Sequence, residues 1–186
     1  ASFSVSGVYG EVTQNAVKKY QADNKLKSDG IAGRNTLAKL MDIKLDGSSK
    51  ADYTKPDSKR LEKLYATLNE KQRDEIDLLS HLIYAEAGNE CYEGLVAVGS
   101  VVMNRMEASG KSMHDVIYQK NAFSVVKSGS INKTPTAICR LAAIDAYFGA
   151  KPVSTAQFFN MKSNTNSWAA KNRKLYRIIG CHAFYI

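Results

Sequence analysis

Residues 82–105, LIYAEAGNECYEGLVAVGSVVMNR, decide the reading of the fold. The stretch opens as the last turns of one helix, breaks at Gly88-Asn89 and resumes as a second helix. Ahead of the break, Leu79, Leu82, Ile83 and Glu86 fall at i, i+3, i+4 and i+7, so one carboxyl shares the apolar stripe of the first helix. Burial disfavours the ionised form of a carboxyl, and the negative end of the helix dipole acts in the same direction, so the pKa of Glu86 is expected to rise. A carboxylic acid that stays protonated near neutrality is what general acid catalysis requires, which makes Glu86 the candidate catalytic residue. The plainer alternative is a Glu at the edge of the stripe, snorkelling to water or paired with an arginine.

The second helix is predicted from about Glu90 to Met106, with Asn89 as its N-cap and Glu90 and Glu93 complementing its positive end. Leu95, Val96, Val98, Val101, Val102 and Met103 make it apolar nearly all round, the pattern of a helix at the centre of a domain. At its end, Asn104 and Arg105 either line a cleft or cap the last carbonyls. Upstream, Arg60 to Arg73 reads as one lead-in helix with Leu61, Leu64, Tyr65 and Leu68 on a face. Downstream come a short helix at Met113, Val116 and Ile117, a loop at Tyr118–Ser124, and a helix over Pro135–Phe148. Residues 156–168, AQFFNMKSNTNSW, lack helical periodicity and read as short strands and loops at a cleft rim. The tail, LYRIIGCHAFYI (175–186), reads as a single strand returning to the core.

The beginning of the chain differs. Gly7-Val8-Tyr9-Gly10-Glu11-Val12-Thr13 recurs as Gly30-Ile31-Ala32-Gly33-Arg34-Asn35-Thr36, both of the form G-x-x-G-x-x-T. The glycines suit positive-φ turn positions, and the threonines can cap the helix that follows. Between the copies, Ala16, Val17, Tyr20 and Gln21 mark a short amphipathic helix ending near Asn24. Two such units cannot bury a core unaided. Residues 42–59, polar with Gly-Ser-Ser and Pro56, read as a linker. The expected organisation is a module at 1–41, a linker at 42–59 and a larger domain at 60–186.

Composition narrows the classes. The 186 residues are 44% hydrophobic, enough for a packed core. The net charge of +8 suits an anionic polymer, but no nucleic-acid-binding signature is present, so nucleic acid is not the expected partner. No apolar run is long enough for a transmembrane helix, and residues 1–20 lack a signal-peptide pattern, so a leader is expected to be absent, removed or not needed. Cys91, Cys139 and Cys181 form no CxxC pair and are expected to be reduced and buried. His81, His114 and His182 show no metal-ligand spacing, so neither a metal nor another cofactor is expected.

The run AEAGNECYEGLVAVGSVVMNR, with IYQKNAFSVV (117–126) and the closing GCHAF (180–184), resembles the SleB/CwlJ cell-wall hydrolases, the spore-cortex-lytic enzymes. Residues 7–40 resemble the common peptidoglycan-binding domain, shortened because that family opens with a further helix, so the module is expected to be truncated. The resemblance implies a mostly helical α+β, lysozyme-like catalytic domain behind a small truncated all-α module. It implies a secreted or spore-associated enzyme whose partner is the peptidoglycan glycan strand; any regulatory partner protein is not legible. Substrate-binding candidates are Glu93, Asn104, Tyr118, Gln119, Phe123, Ser124, Asn160, Trp168 and His182, the aromatic faces stacking on sugars and the amides meeting hydroxyls.

Three chemistries remain open. Glycosidases commonly use two carboxyls, and Asp115 and Asp145 are the candidates beside Glu86, each with an ordinary reading as a surface or cap residue. With Glu86 alone, the resemblance implies a lytic transglycosylase: Glu86 protonates the leaving oxygen, then takes a proton from the sugar's own 6-hydroxyl as an anhydro ring closes. A Cys-His amidase or peptidase would use Cys91 near a helix N-terminus, with His182 as its base. A non-catalytic wall-binding protein would keep its affinity after Glu86→Gln.

Overall fold

The computed structural model describes residues 11–30, 32, 36, 39, 40 and 55–186. The chain divides into two units, Ala1–Leu45 and Asp46–Ile186. In the first, helix α1 (Glu11–Asp23) carries the predicted amphipathic segment. Its Gln21 is 2% exposed and organises the second motif: Nε2 donates to Asp29 Oδ1 and Thr36 Oγ1, both at 2.9 Å, and Oε1 accepts from Gly30 N–H at 2.8 Å. Gly30 sits at φ +74°, the left-handed conformation that favours glycine. Gly7, Gly10, Ile31 and Gly33, and residues 42–54 of the predicted linker, lie outside the described residues.

In the second unit, local capping decides where helices begin. Asp57 accepts from Arg60 N–H and starts α2 (Ser58–Ala66). Asn69 and Gln72 exchange side-chain to backbone bonds at 2.9 and 3.1 Å, a capping box that starts α3 (Glu70–Ala87). The single lead-in helix expected over Arg60–Arg73 is therefore two helices. Leu61, Leu64 and Leu68 are buried as the apolar face expects, but Asn69 offers the backbone a cap and interrupts the helix.

Helix α4 (Tyr92–Ser109) begins later than the expected Glu90 and is capped by Cys91, not Asn89. Glu90 instead closes a turn, its N–H donating to Ala87 O at 2.8 Å, and sends its carboxylate away from the helix. Gly110, at φ +68°, ends α4. The all-round apolar pattern has the expected outcome: twelve consecutive or near-consecutive positions from Tyr92 to Asn104 are buried, and α3 and α7 (Ala137–Tyr147) pack on α4. Gly99 sets the closeness of that packing. A Cβ there would stand 2.7 Å from Ala146 Cβ and 3.0 Å from Ile83 Cδ1.

Between these helices lie α5 (Met113–Ile117), α6 (Ser124–Lys127) and a 3-10 turn, Ser130–Asn132. Strands β1 (Phe158–Met161), β2 (Leu175–Ile179) and β3 (His182–Tyr185) form an antiparallel sheet of order β1-β3-β2, with α8 (Trp168–Asn172) between β1 and β2. The tail is thus a hairpin, not one strand, because Gly180 at φ +56° reverses the chain. Central β3 is buried at all four positions, whereas β2 is mostly exposed. The fold is mostly helical with one small sheet, the α+β class expected. Among the described residues no helix is long and apolar enough to cross a membrane.

Candidate active site

Glu86 sits one residue before the end of α3, half-buried, in a hollow of about 470 Å³. The hollow's walls come from three places: the α3–α4 turn with Glu90, the 3-10 region with Ser130 and Lys133, and the sheet with Met161, Cys181 and His182. Burial pushes the Glu86 carboxyl above its ordinary range. A bond from Val125 N–H and the positive charge of Arg105 pull it back only in part. An arginine is near, as the edge-of-stripe alternative expects, yet desolvation is the larger effect on the carboxyl.

Arg105 leaves the end of α4 and donates through Nε to Gln157 O at 2.7 Å. Its guanidinium lies 4.8 Å from the Phe123 ring centroid and 5.7 Å from that of Phe158. Burial lowers its pKa while Glu86 raises it. Arg105 also lines a second hollow, of about 610 Å³, with Gln119, Asn121, Phe158, Phe159 and Trp168. Phe159 lines this second hollow and meets His182 of the first edge-on, centroids 5.4 Å apart. Glu86 and His182 therefore line the first hollow, Phe158, Phe159 and Trp168 the second, and the Phe159–His182 contact joins the two walls.

Of the sequence candidates, Glu86 and His182 share the first hollow, and Gln119 and Trp168 share the second. Trp168 is 57% exposed, 5.5 Å from Phe158, and braced by Arg173 at 4.9 Å. Phe123 is buried beneath Arg105. Tyr118 is exposed and stacks on His114, and exposed Ser124 begins α6; neither is among the residues lining the two hollows.

Three candidates have internal uses instead. Asn104 is 4% exposed and donates through Nδ2 to Ser154 O and Ala156 O, fixing the segment ahead of β1. Asn160 donates to Met161 O and Asn164 O and accepts from Ser167, so it holds the turn after β1. Glu93 pairs with Arg177 at 2.8 Å, tying α4 to β2.

The alternative chemistries meet similar corrections. Asp145 is neither a surface nor a cap residue: it is 7% exposed, bonded to Arg60 and Tyr92 at 3.0 Å each. Asp115 is exposed and accepts from Ser112. Cys91 and Cys181 are exposed, contrary to expectation, because one caps a helix and the other occupies a hairpin turn; Cys139 is buried, and all three are free. The nearest titratable partner of His182 is Glu90, not a thiol. Glu90 and Phe159 line these hollows or their walls without any sequence signal that marks them as site residues, and Arg105 lines a cleft as well as ending its helix.

The Cell Wall Hydrolase family model matches residues 89–185, beginning just after Glu86, and a peptidoglycan binding domain model matches residues 2–40. The chain is 28% identical over 197 residues to the spore cortex-lytic enzyme of Bacillus cereus, covering 97% of this chain and 75% of that protein. It is 35% identical over 114 residues to the spore cortex-lytic enzyme of Bacillus subtilis, covering 60% of this chain and 37% of that one. Among solved structures, the catalytic domain of the Bacillus cereus SleB protein matches with TM-score 0.56 and 29% identity, covering 61% of this chain and 91% of that one. The catalytic domain of the germination-specific lytic transglycosylase SleB from Bacillus anthracis matches with TM-score 0.59 and 28% identity, covering 64% and 100%.

Proposed function

Because the chain belongs to the cell wall hydrolase family, we propose that it cleaves spore-cortex glycan strands at muramyl bonds during germination, as a lytic transglycosylase whose acid is Glu86. The observation that carries this reading is the raised carboxyl of Glu86 at the wall of an open hollow. Glu86 in its acid form protonates the glycosidic oxygen as the bond to the anomeric carbon breaks. The nearby guanidinium of Arg105 stabilises the carboxylate that proton transfer leaves behind. The sugar's own 6-hydroxyl then bonds to the anomeric carbon and gives its proton to the Glu86 carboxylate, so the anhydro ring closes, the acid is regenerated and no activated water is needed. Relatives named as spore cortex-lytic enzymes support the cortex as substrate and, with it, a secreted or spore-associated place of action. Residues 1–41 are proposed as a wall-binding module and 60–186 as the catalytic domain.

The test is mass spectrometry of soluble fragments released from purified cortex peptidoglycan. Anhydromuramic ends that vanish with Glu86→Gln are expected. Reducing ends would make the enzyme a hydrolytic muramidase, and cleaved peptide stems would make it an amidase or peptidase.

Trp168 gives a second, simpler readout as the sole tryptophan. Half-exposed over the second hollow, it suits a sugar platform. Soluble glycan fragments are expected to blue-shift its emission. Trp168→Ala is expected to raise KM several-fold with kcat little changed, the pattern of lost uniform binding. Emission that ignores fragments, with an unchanged KM, would remove Trp168 from the binding surface.

A further inference from the structure

We propose that Glu90 is a positioning residue of this active site: its carboxylate, lodged between two glycines, holds the β2–β3 turn against the α3–α4 turn and so sets the wall that faces Glu86. The proposal rests on the glycosidic reading of Glu86.

Glu90 sits in the turn between α3 and α4, and its side chain is 11% exposed. It leaves the helix end that its sequence position suits and reaches the hairpin, 91 residues away. There both carboxylate oxygens accept from the Cys181 N–H, at 3.1 and 3.2 Å. The slot for the side chain is built from two elements. A Cβ on Gly180 would collide with Glu90 Oε2, and a Cβ on Gly94, in the first turn of α4, would stand 3.1 Å from Glu90 Cβ. Gly180 is also required by its turn, at φ +56°, but Gly94 is helical and has no such conformational reason. Glycine weakens a helix, so the room it leaves for Glu90 is what it contributes there.

The joint crosses the hollow of Glu86. Glu86, Gly88 and Glu90 line that hollow from the helical side, and Cys181 and His182 line it from the hairpin. The backbone of Cys181 is held at both ends. Its carbonyl accepts from Lys162 N–H at 2.8 Å, and its N–H goes to Glu90. The first bond ties the turn to the end of β1 and leaves its distance from α3 open; the second fixes that distance. Glu90 Oε1 also lies 3.4 Å from His182 Nδ1, so the same carboxylate borders the ring on the facing wall. A nearly buried carboxylate is a costly way to satisfy one backbone N–H. A strong, charge-assisted joint between the two walls gives that cost a use. Helix α3 fixes Glu86 and the sheet fixes β3, so the Glu90 joint decides how closely a glycan strand between them is held to Glu86. A misplacement of about 1 Å costs on the order of 10²-fold in rate.

The test uses the full chain on purified cortex peptidoglycan, with hydrogen exchange of the Cys181 amide read beside it. Glu90→Ala is expected to lose the protection of that amide and to lower kcat by about 10²-fold, with KM little changed because the Trp168 surface is untouched. Glu90→Gln keeps an acceptor oxygen of the same reach, so it is expected to restore the protection and bring kcat to within about tenfold of the unaltered chain. Gly180→Ala pushes into Oε2 and is expected to slow the enzyme as Glu90→Ala does. Combining the two should slow it by less than the product of the single effects. A Glu90→Ala chain with lowered Tm but unchanged kcat would make the joint merely structural and overturn the proposal. So would a Glu90→Gln chain as slow as Glu90→Ala, because the charge and not the joint would then act, and so would single effects that multiply in full. If Glu90→Ala loses its thermal transition, Glu90→Gln decides: a protected amide with kcat retained supports the joint, and loss of either overturns it. Glycan ends that depend on Glu86 but not on Glu90 would keep the glycosidic reading and overturn this one, whereas no glycan ends from the unaltered chain would overturn both.

Discussion

Glu86→Gln is expected to lower glycan cleavage by about 10²- to 10⁴-fold, the range for loss of a positioned proton donor, while wall binding persists. Gln keeps the shape of the side chain and can still accept from Val125 N–H, so the loss isolates the proton. The pH dependence follows from the same group. Its folded pKa is raised by burial, so the acid form survives above the ordinary carboxyl range, and activity declines as pH rises through the raised value. Arg105 pulls that value down. Arg105→Gln should therefore move the alkaline limb to higher pH, even as the overall rate falls through lost charge stabilisation.

Stability should move the opposite way from activity. A carboxyl whose pKa is higher folded than unfolded penalises the native state once it ionises, so Glu86→Gln is expected to raise Tm at neutral and alkaline pH. The gain should shrink as pH falls through the raised folded value and vanish below the unfolded value, where both states are protonated. Thermal scans across pH beside the cleavage assay check both halves. Full activity in Glu86→Gln, or an alkaline limb that ignores Arg105→Gln, would remove Glu86 from the chemistry.

The parts of this molecule that were legible in the sequence are those set by neighbours along the chain. The stripe that carries Glu86 is a matter of i, i+3, i+4 spacing within one helix, and the burial of α4 follows from its apolar circumference. Glu90 was illegible because what defines it is Cys181, 91 residues away, and nothing in local periodicity reports such a partner. By position alone it complements a helix end; in the fold it leaves that helix and reaches the hairpin. Asn104 fails for a related reason: its amide is visible in the sequence, but the carbonyls of Ser154 and Ala156 that occupy it are 50 and 52 residues away. Asn160 is occupied locally instead, in a turn closed on Met161 O and Asn164 O. The exposed thiol of Cys91 follows from a cap two residues later than expected, and that of Cys181 from a hairpin turn where a continuous strand was expected.

Asp145→Asn is expected to destabilise the catalytic unit by about 2–3 kcal/mol without altering the chemistry. Asp145 Oδ1 accepts from Arg60 Nη1 and Oδ2 from Tyr92 Oη, each at 3.0 Å, so one side chain joins α7 to α2 and to the first turn of α4. Removing one member of a buried pair leaves the other charge uncompensated, which costs about 3–5 kcal/mol in full burial. The Arg60 side chain is 36% exposed against 10% for Asp145, and solvent screening places the expected cost below that range. For a chain of this size each kcal/mol lowers Tm by about 2–4 °C, so a fall of about 4–12 °C is expected. Arg60→Gln combined with Asp145→Asn should cost less than the sum of the two, because the second change removes the charge orphaned by the first. The rate at a temperature where the variant is folded should match the unaltered chain, since Asp145 is absent from the walls of the hollow that holds Glu86. The opposite pattern, an unchanged Tm with cleavage abolished, would restore Asp145 as a second catalytic carboxyl and shift the mechanism from one acid toward a carboxyl pair.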